Sequence, residues 1–136
     1  MQGVVEGEEY AVKLYDNRQP EAIKAYFHEK KCLQALGACA SIVDFKMAGR
    51  LQDTLYPCIV TSFAGSPVSR LSRHQRRAAN QASDGLHVVG AAHGDIRLPN
   101  LLFKQDGSCH SADLAHCVME PSQEEKQQDK SQLSTL

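Results

Sequence analysis

Asp95, Arg97 and Asn100 fall within one short run, DIRLPN, directly before the apolar segment LLF. A carboxylate at the head of such a run can accept a hydroxyl proton or orient a nucleophile. An amide oxygen five residues later can hold a divalent ion beside a transferred phosphate. Arg97 between them can neutralise charge on that phosphate. Asp113 lies thirteen residues beyond Asn100, past a strand–turn–strand pattern that would return a second metal-binding carboxylate to the same place. Near the start of the chain, Lys13 is an isolated charge on an alternating segment. Glu29 lies inside the apolar stripe of a helical pattern. Each is awkward alone, because burying an unpaired charge is costly. Together they could form an ion pair that keeps the lysine ready for phosphate oxygens. By themselves, the two positions also fit a lysine that snorkels to solvent and a partly exposed helix carboxylate.

The elements that must position these residues are legible from periodicity. In residues 9–15, Tyr10, Val12 and Leu14 share one face, and Ala11, Lys13 and Tyr15 share the other, as on a strand. A short strand at Val4-Val5 and a turn at Glu6-Gly7 precede it. Residues 20–36 read as a helix opened by Pro20 and Glu21 and stopped by Gly37. Its inner face carries Ala22, Tyr26, Glu29, Leu33 and Leu36. Residues 41–48 and 56–63 read as strands around a polar turn at 49–54. Gly65-Ser66-Pro67 breaks the pattern. Residues 70–90 read as a second helix with Leu71, Ala78, Ala82 and Leu86 inward. A loop over 91–100 leads to a strand at 101–104, a turn at 105–107 and a last strand near 109–113. The order predicts an α+β fold. Residues 1–119 form the domain. Beyond Glu120 the large apolar residues are Leu133 and Leu136, so residues 120–136 are expected to be a disordered or loosely helical tail whose removal leaves stability unchanged.

Composition narrows the function. The chain has 136 residues, 15 Lys plus Arg against 16 Asp plus Glu, and a net charge of −1. That balance gives no argument for a nucleic-acid or membrane partner. No apolar run approaches the ~18–20 residues of a membrane helix, and the acidic start MQGVVEGEEY lacks an apolar signal core. A cytoplasmic setting is the expectation. The five cysteines are odd in number and include no C-x-x-C, which suits reduced core thiols. Cys109, His110, His116 and Cys117 flank Asp113 in CHSADLAHC, but neighbours on a strand point to opposite faces, so a zinc set is not expected. Arg70, Arg73, His74, Arg76 and Arg77 read as a solvated helix face. G-x-S-x-G, the phosphate loop GxxxxGK[ST] and HExxH do not occur.

In order and spacing, these residues resemble the protein-kinase-like fold. AVK at 11–13 is similar to the V-A-I-K strand, Glu29 to the glutamate of the following helix, and HGDIRLPN at 93–100 to the catalytic loop H-R-D-L-x-x-x-N. Asp113 stands where the aspartate of D-F-G would. The resemblance covers roughly residues 3–117. It implies a reduced bilobal fold, with a small antiparallel sheet lobe carrying one helix (about 1–64) and a partial helical lobe (about 65–119). Lys13, supported by Glu29, would bind ATP phosphates. Asp95 would be the catalytic base, with Arg97 replacing the usual phosphate-contacting lysine. Asn100 and Asp113 would bind Mg2+. Val60, Thr61, Ser62, Phe63 and Ala64 would form the hinge that meets adenine, and the small Ala11 would leave room for the base. His93 would be structural.

HGD in place of HRD resembles small-molecule phosphotransferases of the aminoglycoside and choline kinase type. Gly94, where an arginine usually stands, argues against regulation by activation-loop phosphorylation. The chain departs from the pattern elsewhere. Gly3 and Gly7 do not complete GxGxxG, Asp113-Leu114-Ala115 replaces D-F-G, and no A-P-E follows Cys117. The expected function is ATP-dependent transfer of the γ-phosphate to a hydroxyl acceptor, protein or small molecule. The alternative is a catalytically inactive kinase-like fragment that binds nucleotide or a partner.

Overall fold

The computed structural model describes residues 2–5, 8–37, 39–51 and 56–136. The expected turn at Glu6-Gly7 and residues 52–54 of the turn at 49–54 lie outside the described residues. The chain is α+β, with three helices and small antiparallel sheets among the described residues. β1 (Gln2–Val5) and β2 (Glu8–Leu14) lead to α1 (Pro20–Leu36). β3 (Phe45–Arg50) and β4 (Pro57–Ser62) follow, then α2 (Arg73–Val88) and the short β5 (Ala91–Ala92). β6 (Leu101–Phe103) and β7 (Cys109–Ser111) form a hairpin, and β8 (Val118–Met119) precedes α3 (Gln123–Ser134). The first sheet has the order β1-β2-β4-β3. β5 pairs with β8 and β6 with β7.

The α1 boundaries follow from its ends: Pro20 sits in the first turn, and Gly37 closes the helix at φ 58 with its N–H on the Leu33 carbonyl. Tyr26, Glu29, Cys32 and Leu33 are its buried residues, so the polar Glu29 does face inward. α2 starts later than periodicity suggests, because Ser72 and Gln75 form a reciprocal capping box. The strand expected over 41–48 begins only at Phe45. The preceding residues pair elsewhere: Ser111 N donates to the Ser41 carbonyl and Val43 N to the Ser111 carbonyl. Residues 41–43 thus tie the four-stranded sheet to the β6–β7 hairpin.

On β2 the inward face is the one that carries the lysine. Tyr15, just past the strand, is buried, whereas Leu14 on the other face is exposed. One apolar core gathers Tyr15, Tyr26, Leu33, Ile42, Ile59 and Leu114; a second gathers Leu71, Ala79, Ile96, Leu101, Phe103 and Leu133.

The tail expectation does not hold. Residues 123–134 form a helix with a complete capping box between Ser122 and Glu125, and Asp129 and Leu133 are buried. Leu133 and Leu136 pack into the second core. Arg76 of α2, read from sequence as part of a solvated face, donates to the carbonyls of Leu133 and Leu136. The segment is short of apolar residues but places them on one helical face, and its polar residues find partners in the body.

Candidate functional site

β2, α1 and the segment after β7 converge on Lys13. Its Nζ lies 3.0 Å from Glu29 Oε1 and 2.9 Å from Asp113 Oδ1. Glu29 also accepts from the Tyr15 hydroxyl and from Leu114 N. A buried carboxylate with a cation and two neutral donors has its charge compensated, which answers the cost of placing it in the apolar stripe. Burial by itself would lower the Lys13 pKa; Glu29 and Asp113 outweigh it and hold the ammonium above its ordinary value. Burial would raise Asp113, but the hydrogen bond and charge of Lys13 pull its carboxyl below the usual range. The Tyr15 hydroxyl is pushed far up, first by burial and then by the Glu29 charge.

This bridge borders a cavity of about 510 Å3 between the first sheet and the β6–β7 hairpin. Of the residues singled out in the sequence, Ala11, Lys13, Glu29, Thr61, Ser62, Phe63, Ala64 and Asp113 line it. Val60 does not. It pairs with Val12 across β2 and β4, and its neighbours Ile59 and Thr61 line the cavity. Sequence reasoning missed Val43, Ile59, Leu102 and Leu114, which supply apolar wall. Leu102 was open to inference: Leu101 and Phe103 are buried in the second core, so alternation turns Leu102 the other way.

Asp95, Arg97 and Asn100 form a second group on the loop before β6 and do not line the cavity. Asn100 Nδ2 donates to the Asp95 carbonyl at 2.9 Å and to Asp95 Oδ2 at 3.3 Å. Arg97 Nε is 3.3 Å from Asp95 Oδ2. The β6–β7 pairing brings this loop beside Asp113. Leu101 sits opposite Ser111, and Ala112 N donates to the Asn100 carbonyl at 2.9 Å. Asp113 adopts a left-handed backbone, φ 61, which aspartate tolerates better than most residues.

His93 is the strut between the two groups. Its Nε2 is 2.7 Å from the Ala112 carbonyl, so Nε2 carries the hydrogen; Nδ1 then accepts from Asp95 N at 3.2 Å. Gly94 follows with φ +84, and a Cβ there would run into the His116 carbonyl oxygen. Glycine is needed at that position for steric reasons, whatever its regulatory meaning.

Support from α3 was not anticipated. Asp129, fully buried, accepts from His93 N at 2.8 Å and from Gly94 N at 2.9 Å, and pairs with His87 Nε2 at 2.8 Å. Gln132 Oε1 accepts from Ile96 N at 2.9 Å. The signal was present in sequence: residues 129, 132, 133 and 136 recur at helical spacing behind an S-x-x-E capping box.

Among the described residues, no group of three or more His, Cys, Asp or Glu could hold a metal ion. Cys109 and Cys117 lie in different cores. Magnesium asks for less, often one or two protein oxygens with phosphate and water completing its shell. Asn100 commits its Nδ2 to Asp95, which leaves its Oδ1 free of that bond, and Asp113 offers a carboxylate in the adjoining segment. These hard oxygen donors fit a phosphate-bound Mg2+.

No protein-family model matches the chain, and no curated protein matches it.

Proposed function

We propose that the chain is an ATP- and Mg2+-dependent phosphotransferase of protein-kinase-like fold, with the four-stranded sheet and α1 as its small lobe. The observation that carries this reading is Lys13, held between Glu29 and Asp113 at the wall of an apolar cavity of about 510 Å3. A cavity of that size with few charged groups suits a flat base and ribose, and a tethered ammonium at its edge suits phosphate oxygens. Apolar Val43, Ile59 and Leu102 would face the adenine. Ala64 would offer backbone groups to its edge, since the amides of Ser62 and Phe63 already donate to Asp44 and Glu9.

Asn100 and Asp113 would hold Mg2+, which would supply charge neutralisation at the transferred phosphate. Asp95 would orient the acceptor hydroxyl and take its proton as the oxygen attacks the γ-phosphorus. The bond to the bridging oxygen breaks and ADP leaves. Lys13 and Arg97 would stabilise the developing charge. Asp129, through the amides of residues 93 and 94, would fix the loop that presents Asp95.

One observation favours the non-catalytic alternative, a kinase-like fragment that binds nucleotide or a partner: the Asp95 carboxylate is engaged by Arg97 and Asn100 of its own loop. The deciding experiment pairs thermal unfolding with and without Mg-ATP with transfer of labelled phosphate to protein and small-hydroxyl acceptors. Binding with transfer supports the enzyme, and binding without transfer supports the module. No stabilisation at millimolar Mg-ATP removes both nucleotide readings.

A further inference from the structure

Cys32 on α1 and Cys117 after β7 are both almost fully buried, 1% and 2% exposed, and their thiols lie close enough to shift each other's ionisation. Cys32 Sγ also lies 4.0 Å from the Cys117 carbonyl oxygen, across 85 residues of chain. The pair is in register with the candidate site. Cys32 is one turn beyond Glu29, and Cys117 three residues beyond Leu114, whose N–H Glu29 accepts. The thiols are therefore a second rung below the contact that joins α1 to the Asp113 segment.

His28 completes the cluster. Its Nε2 lies 2.7 Å from the Cys117 carbonyl oxygen, so it carries the hydrogen, and the same nitrogen is 3.6 Å from Cys32 Sγ. His28 is exposed, so Cys32 is one side chain below the surface. We propose that Cys32 and Cys117 are a peroxide-responsive disulfide site that covalently locks α1 to the Asp113 segment.

The chemistry assigns different roles to the two sulfurs. The neighbouring Cys117 thiol, opposed by burial and aided by His28 and Lys31, brings the Cys32 thiol down to about 7. Cys117 is pushed well above its ordinary value, first by Cys32 and then by burial. The thiolate is the nucleophile. Cys32 attacks a peroxide oxygen; the O–O bond breaks, a sulfenic acid forms, and hydroxide leaves and becomes water on protonation. Cys117 sulfur then attacks Cys32 sulfur. The S–O bond breaks and the S–S bond forms. The Cys117 proton goes to the departing hydroxide. Two thiols lose two electrons in all, and one hydrogen peroxide is reduced to two waters. Cys39, Cys58 and Cys109 are free thiols too, and Cys109 is pushed up to about 12 by burial, which makes it a poor nucleophile.

The test uses the full chain, reduced and then exposed to hydrogen peroxide, with peptide mapping under non-reducing conditions. A Cys32–Cys117 crosslink that dithiothreitol reverses is the expected dominant product. Cys117→Ser should stop at a Cys32 sulfenic acid trapped by dimedone, and Cys39→Ser should crosslink as wild type. If Cys117→Ser does not fold, Cys117→Ala gives the same readout. The crosslinked protein should unfold at higher temperature than the reduced one, an increase that Cys117→Ser abolishes. Crosslinks through Cys39, Cys58 or Cys109, thiols that stay free, or an unchanged unfolding midpoint would each overturn the proposal. No readout involves nucleotide, so its failure is separable from failure of the phosphotransferase reading.

Discussion

Lys13 and Asp113 are one hundred residues apart in sequence and joined by a 2.9 Å ion pair. The pair closes the cavity edge from both sides, because Lys13 belongs to the first sheet and Asp113 to the segment after the β6–β7 hairpin. Glu29 holds the same ammonium from α1. Three separate elements thus meet on one nitrogen, and a phosphate oxygen arriving there would meet a cation whose position is already fixed. That preorganisation is what electrostatic stabilisation of a transferred phosphate needs.

Removing the ammonium should remove the nucleotide response. If Mg-ATP binds at Lys13, ligand at ~100 times its dissociation constant stabilises the fold by about 2.7 kcal/mol. Lys13→Met should lose most of this gain yet still fold, since Glu29 keeps Tyr15 and Leu114 as donors. Asp113→Asn should abolish the metal dependence of binding. Differential scanning fluorimetry with ATP alone and with Mg-ATP reads both, and an undiminished shift in Lys13→Met would place the nucleotide elsewhere.

The ion pair also sets a pH window. Asp113 is held below its ordinary value of 3.8, so its stabilisation is present above that value and is lost as pH falls through the lower folded pKa. Lys13 is held above 10.5, so its stabilisation is full below that value and is lost as pH rises through the higher folded pKa. Between these limits the bridge contributes a plateau. Its side chains are 43% and 32% exposed, so the effect is modest and weakened by salt. Unfolding midpoints measured across pH should show both limbs in wild type and a flattened alkaline limb in Lys13→Met. An identical alkaline limb in both proteins would contradict the assignment.

Deleting residues 120–136 should be strongly destabilising, the reverse of what the composition of that segment suggests. The deletion strips Leu133 and Leu136 from the second core and leaves the amides of His93, Gly94 and Ile96 without their acceptors. Each buried donor left unpaired costs roughly 1–3 kcal/mol. Asp129→Ala isolates part of this loss, and Asp129→Asn, which retains one acceptor oxygen, should be milder. Chemical denaturation of the three variants orders them, and a deletion as stable as wild type would show that α3 does not dock.

The contrast between α1 and α3 explains what the sequence made legible. α1 announced itself through Pro20, Gly37 and an apolar stripe, and the one polar residue in that stripe, Glu29, proved to be buried and paired. The relevant signals were local and periodic. Lys13 and Asp113 stood out because their residue types are unusual for their settings, and the structure joins them. α3 was misread because its docking rests on Asp129 and Gln132, polar side chains whose partners are backbone amides far away in sequence. Composition counts apolar atoms and cannot see those acceptors. The start of β3 failed for a similar reason, since residues 41–43 look like strand but pair with Ser111 instead of β4.

Gly94 yields a steric prediction. Gly94→Ala must hold a left-handed backbone, at about 1–2 kcal/mol, and also drive a Cβ against the His116 carbonyl. Gly94→Arg, which restores the HRD-like spelling, should therefore not gain function but lose stability at least as severely. Unfolding midpoints for the two variants check this. A Gly94→Arg protein as stable as wild type would mean that the loop and the 114–116 turn can separate freely.

Asp95 distinguishes an enzyme from a binder. In the structure its carboxylate touches Arg97 and Asn100 and stays clear of the cavity lining. If it orients the acceptor hydroxyl, Asp95→Asn keeps the side-chain shape and removes the charge that takes the proton. Transfer should then fall about a thousandfold, equivalent to roughly 4 kcal/mol of transition-state stabilisation. Mg-ATP affinity should hold within a few-fold, because in the proposed site the nucleotide would lie on the Lys13 side. Arg97→Ala releases the carboxylate from its neighbour and would remove the cation proposed to face the phosphate. Its transfer rate should drop less than that of Asp95→Asn and become more sensitive to salt. The assay follows labelled phosphate onto a protein pool, a panel of small hydroxyl compounds and the chain itself. Transfer that survives intact in Asp95→Asn would assign the base to another residue. A parallel loss of nucleotide affinity would move Asp95 from the acceptor side to the nucleotide side of the site.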